Sequence, residues 1–149
     1  MIEKTIENWH RHLRGELPGG LDALLADDVV FYSPIVFSPQ KGIEITKMYL
    51  NAAGATFSGG QGTGEPGSVA KSGFHYTKEV LCGNHAMLEF ETEMDGKYVN
   101  GVDIITCDDE GRIIEFRVMI RPLQAIQTIH AQMAKMLAKM NGSKLSSAV

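Results

Sequence analysis

The alternation of hydrophobic and polar positions is clearest between Tyr98 and Arg121. Two apolar runs there flank the cluster Asp108-Asp109-Glu110-Gly111, an order typical of an antiparallel hairpin. The apolar side of the second arm consists of Ile114, Phe116, Val118 and Ile120. Because successive residues of a strand point to opposite faces, this arm predicts a strand with one buried face. The first arm is apolar around one acid, Asp103.

Three turn signals predict how the later strands pair. Gly83-Asn84 and Asp95-Gly96 are typical of two-residue hairpin loops, and the acidic cluster before Gly111 supplies the third turn. The partners predicted across these turns are Cys82 with His85, Met94 with Lys97, and Cys107 with Arg112. A one-residue slip would exchange the two faces of the sheet, so these pairs also predict which side chains point inward.

The predicted registers gather apolar side chains on one face, the inner face. Its predicted members are Leu81, Ala86, Leu88, Phe90, Ile105, Ile114, Phe116 and Val118. Asp103 falls on the same face opposite Phe116, whereas a bulge in the third turn would place Arg117 opposite it in an ion pair. The edge strand is predicted to bring His75, Thr77 and Glu79 inward. The outer face is charged, and the residues on it that predict a contact with a second copy are Tyr98, Val102, Ile104 and Met119.

Two segments near the N-terminus have the spacing of helices. The apolar stripe of the first consists of Ile2, Ile6, Trp9 and Leu13. Trp9 is therefore predicted to point inward, while His10 lies on another face as a surface imidazole. After a Pro-Gly-Gly break, residues 21–28 predict a short second helix. The strand that follows, up to Pro34, has on one side Val29, Phe31 and Ser33.

Two further helices and one loop complete the predicted organisation. Residues 43–53 predict a third helix that covers one end of the sheet, with Tyr49 in its apolar stripe. Residues 122–140 predict a C-terminal helix whose methionine-rich stripe packs on its own domain or on a dimer partner. Residues 58–68 are rich in glycine and predict a flexible loop. This loop is interpreted as a linker, with a lid over a pocket as the alternative.

The composition is that of one globular domain spanning residues 1–149, with 44% hydrophobic and 21% charged residues. A net charge of −4 and dispersed basic residues argue against nucleic-acid binding. No apolar run has the length of a membrane span and no secretory leader is recognisable, so we expect a cytoplasmic protein without a membrane partner. Cys82 and Cys107 lack metal-binding spacing, and we expect neither a metal nor a cofactor.

The order of these elements carries a resemblance to a known family. The motifs that carry it are Leu24-Leu25-Ala26-Asp27-Asp28-Val29-Val30, Ser33-Pro34, Lys41-Gly42 and Gly111-Arg112-Ile113-Ile114. From about Trp9 to Arg121 the chain resembles the cystatin-like, nuclear transport factor 2-like (SnoaL-like) cone, and in motif order the ketosteroid isomerases. The resemblance implies an α+β fold with a curved mixed, mostly antiparallel sheet, N-terminal helices and an added C-terminal helix. It also implies a homodimer.

The resemblance to ketosteroid isomerase also implies roles for particular positions. In that family a carboxylate base ends the first strand, and a tyrosine and a protonated aspartate hold the dienolate oxygen. Asp103 matches the position of the aspartate, Trp9 falls where the tyrosine would be, and Ser33 occupies the place of the base. A serine hydroxyl cannot take a proton from carbon at neutral pH without help. His75 or Glu79 would therefore have to supply the base.

These observations lead to two hypotheses about function. In the first, the chain is a cofactor-free isomerase, dehydratase or cyclase that binds a small hydrophobic molecule in an apolar pocket. Its catalytic candidates are Asp103, His75 and Glu79, because burial disfavours an ionised acid and suits Asp103 to hold an enolate oxygen. The predicted pocket is lined by Trp9, Phe31, Ser33, Tyr49, Leu88, Phe90, Phe116, Val118 and Ile120. In the second, the chain is a non-catalytic ligand-binding or dimerisation module in which Trp9 donates its indole N–H to a structural, ionised Asp103.

Overall fold

A computed structural model describes residues 1–58 and 73–141 of the chain. The described helices are α1 (Ile2–Leu13), α2 (Leu21–Leu24), α3 (Ile43–Ser58) and α4 (Leu123–Asn141). The described strands are β1 (Leu25–Tyr32), β2 (Gln40–Lys41), β3 (His75–Cys82), β4 (His85–Met94), β5 (Lys97–Cys107) and β6 (Ile113–Arg121). The predicted glycine-rich loop lies outside the described residues, apart from Ser58 at the end of α3.

These strands form one curved sheet in the order β2-β1-β6-β5-β4-β3. β1 pairs with β6 in parallel, and the other neighbouring strands pair antiparallel. The prediction of an α+β fold with a mixed, mostly antiparallel sheet is confirmed. In the part of the chain that the structure describes, no helix is both long and apolar enough to cross a membrane.

Two of the three predicted hairpin registers are confirmed, and the third is wrong. Cys82 pairs with His85 and Met94 pairs with Lys97. After the third turn, however, a bulge pairs Cys107 with Ile113 and places Val118, not Phe116 or Arg117, opposite Asp103. The Asp108 carboxylate accepts hydrogen bonds from two backbone N–H groups within this turn, which lengthens it beyond a simple loop.

The observed register of β5 and β6 differs from the predicted one by two residues along most of the two strands. Because side chains alternate with a period of two, Asp103 stays on the inner face. The bulge does exchange two neighbours at the start of β6. Ile113 is fully buried in the core, whereas the predicted core residue Ile114 is only half-buried. The reason is that Ile114 is the extra residue of the bulge and has no cross-strand partner. Ile113, which precedes it, therefore points to the face opposite to the predicted one.

A second bulge, at Thr77 in the edge strand β3, decides which side chains enter the cone. Tyr76 pairs with Phe90 and Lys78 pairs with Glu89, so Thr77 is the extra residue between them. The prediction that His75 and Thr77 point inward is therefore wrong, because the bulge reverses the alternation of the residues before it. Tyr76 takes the inner face instead.

Two boundaries near the N-terminus also differ from the predictions. Leu13 is 41% exposed, so the apolar stripe of α1 ends in practice at Trp9. The second helix ends at Leu24 and β1 begins at Leu25, four residues before the predicted strand. The reason is tertiary: Leu25 pairs with Ile113 of β6, and the Arg112 guanidinium donates hydrogen bonds to the carbonyl oxygens of Asp22 and Leu25.

The core lies between the inner face of the sheet and helices α1, α3 and α4, and aromatic rings fill much of it. Trp9 contacts Phe116 with 5.1 Å between ring centroids, and Phe31 stacks on Tyr49 at 5.3 Å. Phe90 takes part in a second cluster with residues of α4. The inner face is thus closely packed around Asp103, which is itself buried.

Candidate functional site

The centre of the candidate site is a chain of hydrogen bonds that joins α1 to the sheet. The indole Nε1 of Trp9 donates to the hydroxyl of Tyr76 at 3.0 Å. That hydroxyl donates in turn to Oδ2 of Asp103 at 2.7 Å. The predicted direct hydrogen bond from Trp9 to Asp103 is therefore replaced by one that passes through Tyr76. Because an indole N–H can only donate, the direction of the hydrogen bond between Trp9 and Tyr76 is fixed.

Asp103 is buried, with 6% of its surface exposed, and its environment favours the neutral acid. Burial raises the pKa of its carboxyl to about 7, although the hydrogen bond from Tyr76 acts in the opposite direction. Its nearest cross-strand partners are the apolar side chains of Leu88 and Val118. Near neutral pH a large fraction of Asp103 is therefore protonated and able to donate a hydrogen bond.

Tyr76 is the second acid of the pair. Burial raises the pKa of its phenol well above the usual value, and the negative charge of Asp103 acts in the same direction. The phenol therefore keeps its proton and remains a hydrogen-bond donor. The two hydroxyl groups, 2.7 Å apart in an apolar setting, could both donate to one carbonyl or enolate oxygen if that oxygen replaced their mutual hydrogen bond.

Most of the predicted lining residues belong to the two core clusters against which Tyr76 packs. Those that are buried in the core are Trp9, Phe31, Tyr49, Leu88, Phe90 and Phe116. Val118 and Ile120 are partly buried and pack against the same clusters. The rings pack on one another, so the inner face resembles a filled aromatic core more closely than an open cavity.

Ser33 has a local role in the structure. Its Oγ accepts hydrogen bonds from the backbone N–H groups of Ile35 at 2.9 Å and Val36 at 3.2 Å. A hydroxyl oxygen engaged in this way stabilises the turn after β1. It is therefore not positioned as an accessory base for the inner face.

The two remaining catalytic candidates lie in different places. His75 is on the outer side of β3, where its Nε2 lies 3.8 Å from the Glu91 carboxylate, so the structure does not bring it to Asp103. Glu79 lies opposite Leu88 and contacts Nε2 of His10 on α1. The ring of His10 also meets that of Tyr76 nearly edge-on, with 5.6 Å between centroids. The predicted surface imidazole is thus a neighbour of the candidate site.

Two site residues, Tyr76 and His10, were missed by the sequence analysis. The prediction that His75 and Thr77 point inward leaves no inward position for Tyr76, and no glycine or proline marks the bulge at Thr77 that reverses this. His10 does follow Trp9 directly on α1, yet its position beside Glu79 depends on how the helix docks on the sheet. Among the described residues, no group of three or more His, Cys, Asp or Glu side chains is arranged to hold a metal ion.

The outer face of the sheet carries a shallow groove of about 440 Å³. Its lining residues are Lys78, Val80, Met87, Glu89, Asn100, Gly101, Val102, Met119, Ile120 and Arg121. Val80, Met87 and Met119 are each about half exposed, at 53%, 45% and 52%. The groove therefore combines exposed apolar side chains with charged ones of both signs, on the side of the sheet away from Asp103.

Solved structures with this architecture include a steroid delta-isomerase from Pseudomonas aeruginosa, 28% identical, with a TM-score of 0.80 and 95% of each chain covered. A protein with a cystatin-like fold from Silicibacter pomeroyi is 24% identical over 95% of this chain and 89% of its own, with a TM-score of 0.74. A nuclear transport factor 2-like protein from Mesorhizobium loti is 19% identical over 81% and 91%, with a TM-score of 0.59. No protein-family model matches the chain, and no curated protein does.

Proposed function

Since the chain belongs to the nuclear transport factor 2-like (SnoaL-like) superfamily, we propose that its inner face binds a small hydrophobic molecule through a carbonyl or enolate oxygen. Tyr76 and protonated Asp103 donate hydrogen bonds to that oxygen. The reaction class that this arrangement serves is cofactor-free isomerisation next to a carbonyl group. The similarity to a steroid delta-isomerase supports the same class.

The observation that carries the proposal is the buried pair of Tyr76 and Asp103. An acid raised to a pKa of about 7 beside a phenol that stays protonated is an unusual combination for a purely apolar core. The aromatic walls supply the hydrophobic contacts that a ring-shaped ligand needs. In this proposal the ligand enters between α1 and β3, displacing part of the aromatic packing beside Tyr76.

Binding of 2-naphthol tests the proposal, because its emission distinguishes a neutral from an ionised hydroxyl and its ring matches the aromatic walls. The wild-type protein is expected to bind it, and Tyr76→Phe to weaken binding at least about tenfold, since one hydrogen bond to the bound oxygen is lost. Tyr98→Phe is the matched control: this tyrosine is half exposed and bonded to Glu91 on the outer face. It should leave the affinity within about twofold.

The outcomes separate the alternatives clearly. Saturable binding that is sensitive to Tyr76→Phe supports an oxygen-binding site on the inner face. Absence of saturable binding, or equal affinity of the Tyr76→Phe and wild-type proteins, contradicts it. Urea unfolding of both variants, followed by the emission of Trp9, separates loss of binding from loss of fold.

A second candidate function, a non-catalytic dimerisation module, is favoured by the outer face. Exposed Val80, Met87 and Met119 lie there beside charges of both signs, such as Lys78 and Glu89, which are 3.6 Å apart. A surface with both signs is self-complementary across a two-fold axis, because each charge can meet its opposite on a second copy. In this reading the partner of the groove is a second copy of the chain, and the hydrogen bonds of Asp103 are structural.

A further inference from the structure

We propose that His10, oriented by Glu79, is the general base that moves a proton on a ligand whose oxygen is held by Tyr76 and Asp103. The inference rests on the proposed function and names a base at a position that differs from both Ser33 and His75. Three contacts carry it: His10 with Glu79, His10 with Tyr76, and Tyr76 with Asp103. Together they link an imidazole on α1 to the buried acid on β5.

The contact with Glu79 fixes the tautomer of His10. Nε2 of the imidazole faces a carboxylate oxygen of Glu79, and a carboxylate accepts hydrogen bonds, so Nε2 carries the proton. Nδ1 then holds the lone pair and is the basic atom. An imidazole whose one nitrogen is bonded to a carboxylate while the other takes a proton is a recurrent arrangement in enzymes, and the carboxylate stabilises the cation that forms.

His10 lies beside Tyr76 and is also partly open to solvent. Its side chain is 29% exposed and that of Glu79 is 37% exposed, so the pair lies at the rim of the inner face and not within the core. The rings of His10 and Tyr76 are 5.6 Å apart at an angle of 73°. His10 thus directly contacts the ring of the residue that is proposed to bind the ligand oxygen.

The proposed step is a balanced isomerisation of a β,γ-unsaturated ketone. Nδ1 of His10 takes the proton from the carbon between the carbonyl and the double bond, and the electron pair of that C–H bond moves to give an enolate. Tyr76 and protonated Asp103 hold the enolate oxygen. Nδ1 then returns the proton to the γ-carbon, which yields the conjugated ketone without an oxidant, a reductant or a leaving group.

Conversion of 3-cyclohexen-1-one to 2-cyclohexen-1-one tests the step, with deuterium uptake from D₂O measured in parallel by NMR. The wild-type protein is expected to exceed the rate in buffer, and His10→Gln to lower the excess about a hundredfold, as expected for loss of a general base. His85→Gln is the matched control, because His85 is exposed on β4 and bonded to Thr106. It should leave the rate within about twofold.

Glu79→Gln tests whether Glu79 orients the imidazole of His10. It is expected to lower the exchange rate about tenfold while the affinity for 2-naphthol stays unchanged, a split that a general loss of structure would not produce. Wild-type exchange no faster than in buffer, or a His10→Gln rate within twofold of wild type, would overturn the inference. Failure of the proposed function is a different result, namely the absence of 2-naphthol binding that depends on Tyr76.

Discussion

The buried carboxyl of Asp103 predicts an unusual pH dependence of stability. Its pKa is about 7 in the folded chain and about 3.9 in an unfolded one. Between these values the native state holds a proton that the unfolded chain has released, so the contribution of Asp103 to the free energy of unfolding falls as the pH rises. The full effect, reached above pH 7, is as much as about 4 kcal/mol.

Asp103→Asn removes this titration while its amide oxygen can still accept the hydrogen bond from Tyr76. The variant is therefore expected to gain stability relative to the wild type between pH 5 and pH 8 in urea unfolding. Asp109→Asn, at an exposed position of the turn before β6, is the control and should show little change in the same comparison. A difference between Asp103→Asn and wild type that is the same at both pH values would contradict a raised pKa.

The sequence allowed part of this residue-level picture to be predicted. Asp103 and Trp9 were both expected to face inward, because each lies in a regular apolar pattern, and both are buried. The partner of Asp103 could not be predicted in the same way. With Thr77 present in the strand, Tyr76 reaches Asp103 only because Thr77 bulges, and no glycine or proline in the strand signals that bulge.

Within the sheet, Gly101 is required by the ring of Phe90. The two residues are cross-strand partners, and a Cβ at position 101 would lie 2.6 Å from the carbonyl oxygen of Met119 and 2.9 Å from Cε2 of Phe90. A backbone atom cannot move away as a flexible side chain can. Gly101→Ala is therefore expected to destabilise the protein by about 1–3 kcal/mol in urea unfolding.

Gly54→Ala provides the matched control for this substitution. Gly54 lies within α3 and a Cβ there would have no neighbour within 4 Å. Alanine favours a helix over glycine, so this variant should gain about 0.5–1 kcal/mol. If Gly101→Ala were as stable as the wild type, the close approach of Phe90 would not constrain β5 as described.

The accuracy of the predicted elements follows the strength of their local signals. Two-residue turns at Gly83-Asn84 and Asp95-Gly96 leave little choice of register, and both pairings are confirmed. The third turn is longer and held by side-chain hydrogen bonds, so its register was predicted incorrectly. β1 begins early because of its parallel partner β6, which is far away in the sequence.

For the whole molecule, the exposed apolar groove of the outer face predicts association. Met119→Glu would place an acid among the residues that line this groove, opposite its cross-strand partner Val102. If two copies meet through the outer face, the variant should sediment as a monomer at a concentration where the wild type is a dimer. Burying an unpaired carboxylate opposes association strongly.

Phe37→Ser is the control for this experiment, because Phe37 is 98% exposed but lies in the connection between β1 and β2, outside the groove. It should sediment as the wild-type protein does. A wild-type protein that is monomeric at micromolar concentration would contradict the proposed use of the outer face. The inner-face proposals would not be affected, since their residues lie on the opposite side of the sheet.

The fold could be predicted further than the activity. The order of helices and strands, together with short motifs such as Ser33-Pro34, pointed to the correct architecture, because many weak signals agreed along the chain. The chemistry depends on a few side chains whose positions are set by distant contacts. His10 was assigned to the surface from its own helix, and only the docking of α1 on β3 brings it to Glu79.

The extra residue in β3 also affects how this chain should be aligned with its relatives. A relative with a regular edge strand would have one residue fewer between the equivalents of Tyr76 and Lys78, so a gap belongs at Thr77. An ungapped alignment would match Tyr76 with an outward-facing position and His75 with an inward-facing one. Deletion of Thr77 would accordingly shorten the strand and leave Tyr76 opposite Phe90, so this length difference is one that the site itself can tolerate.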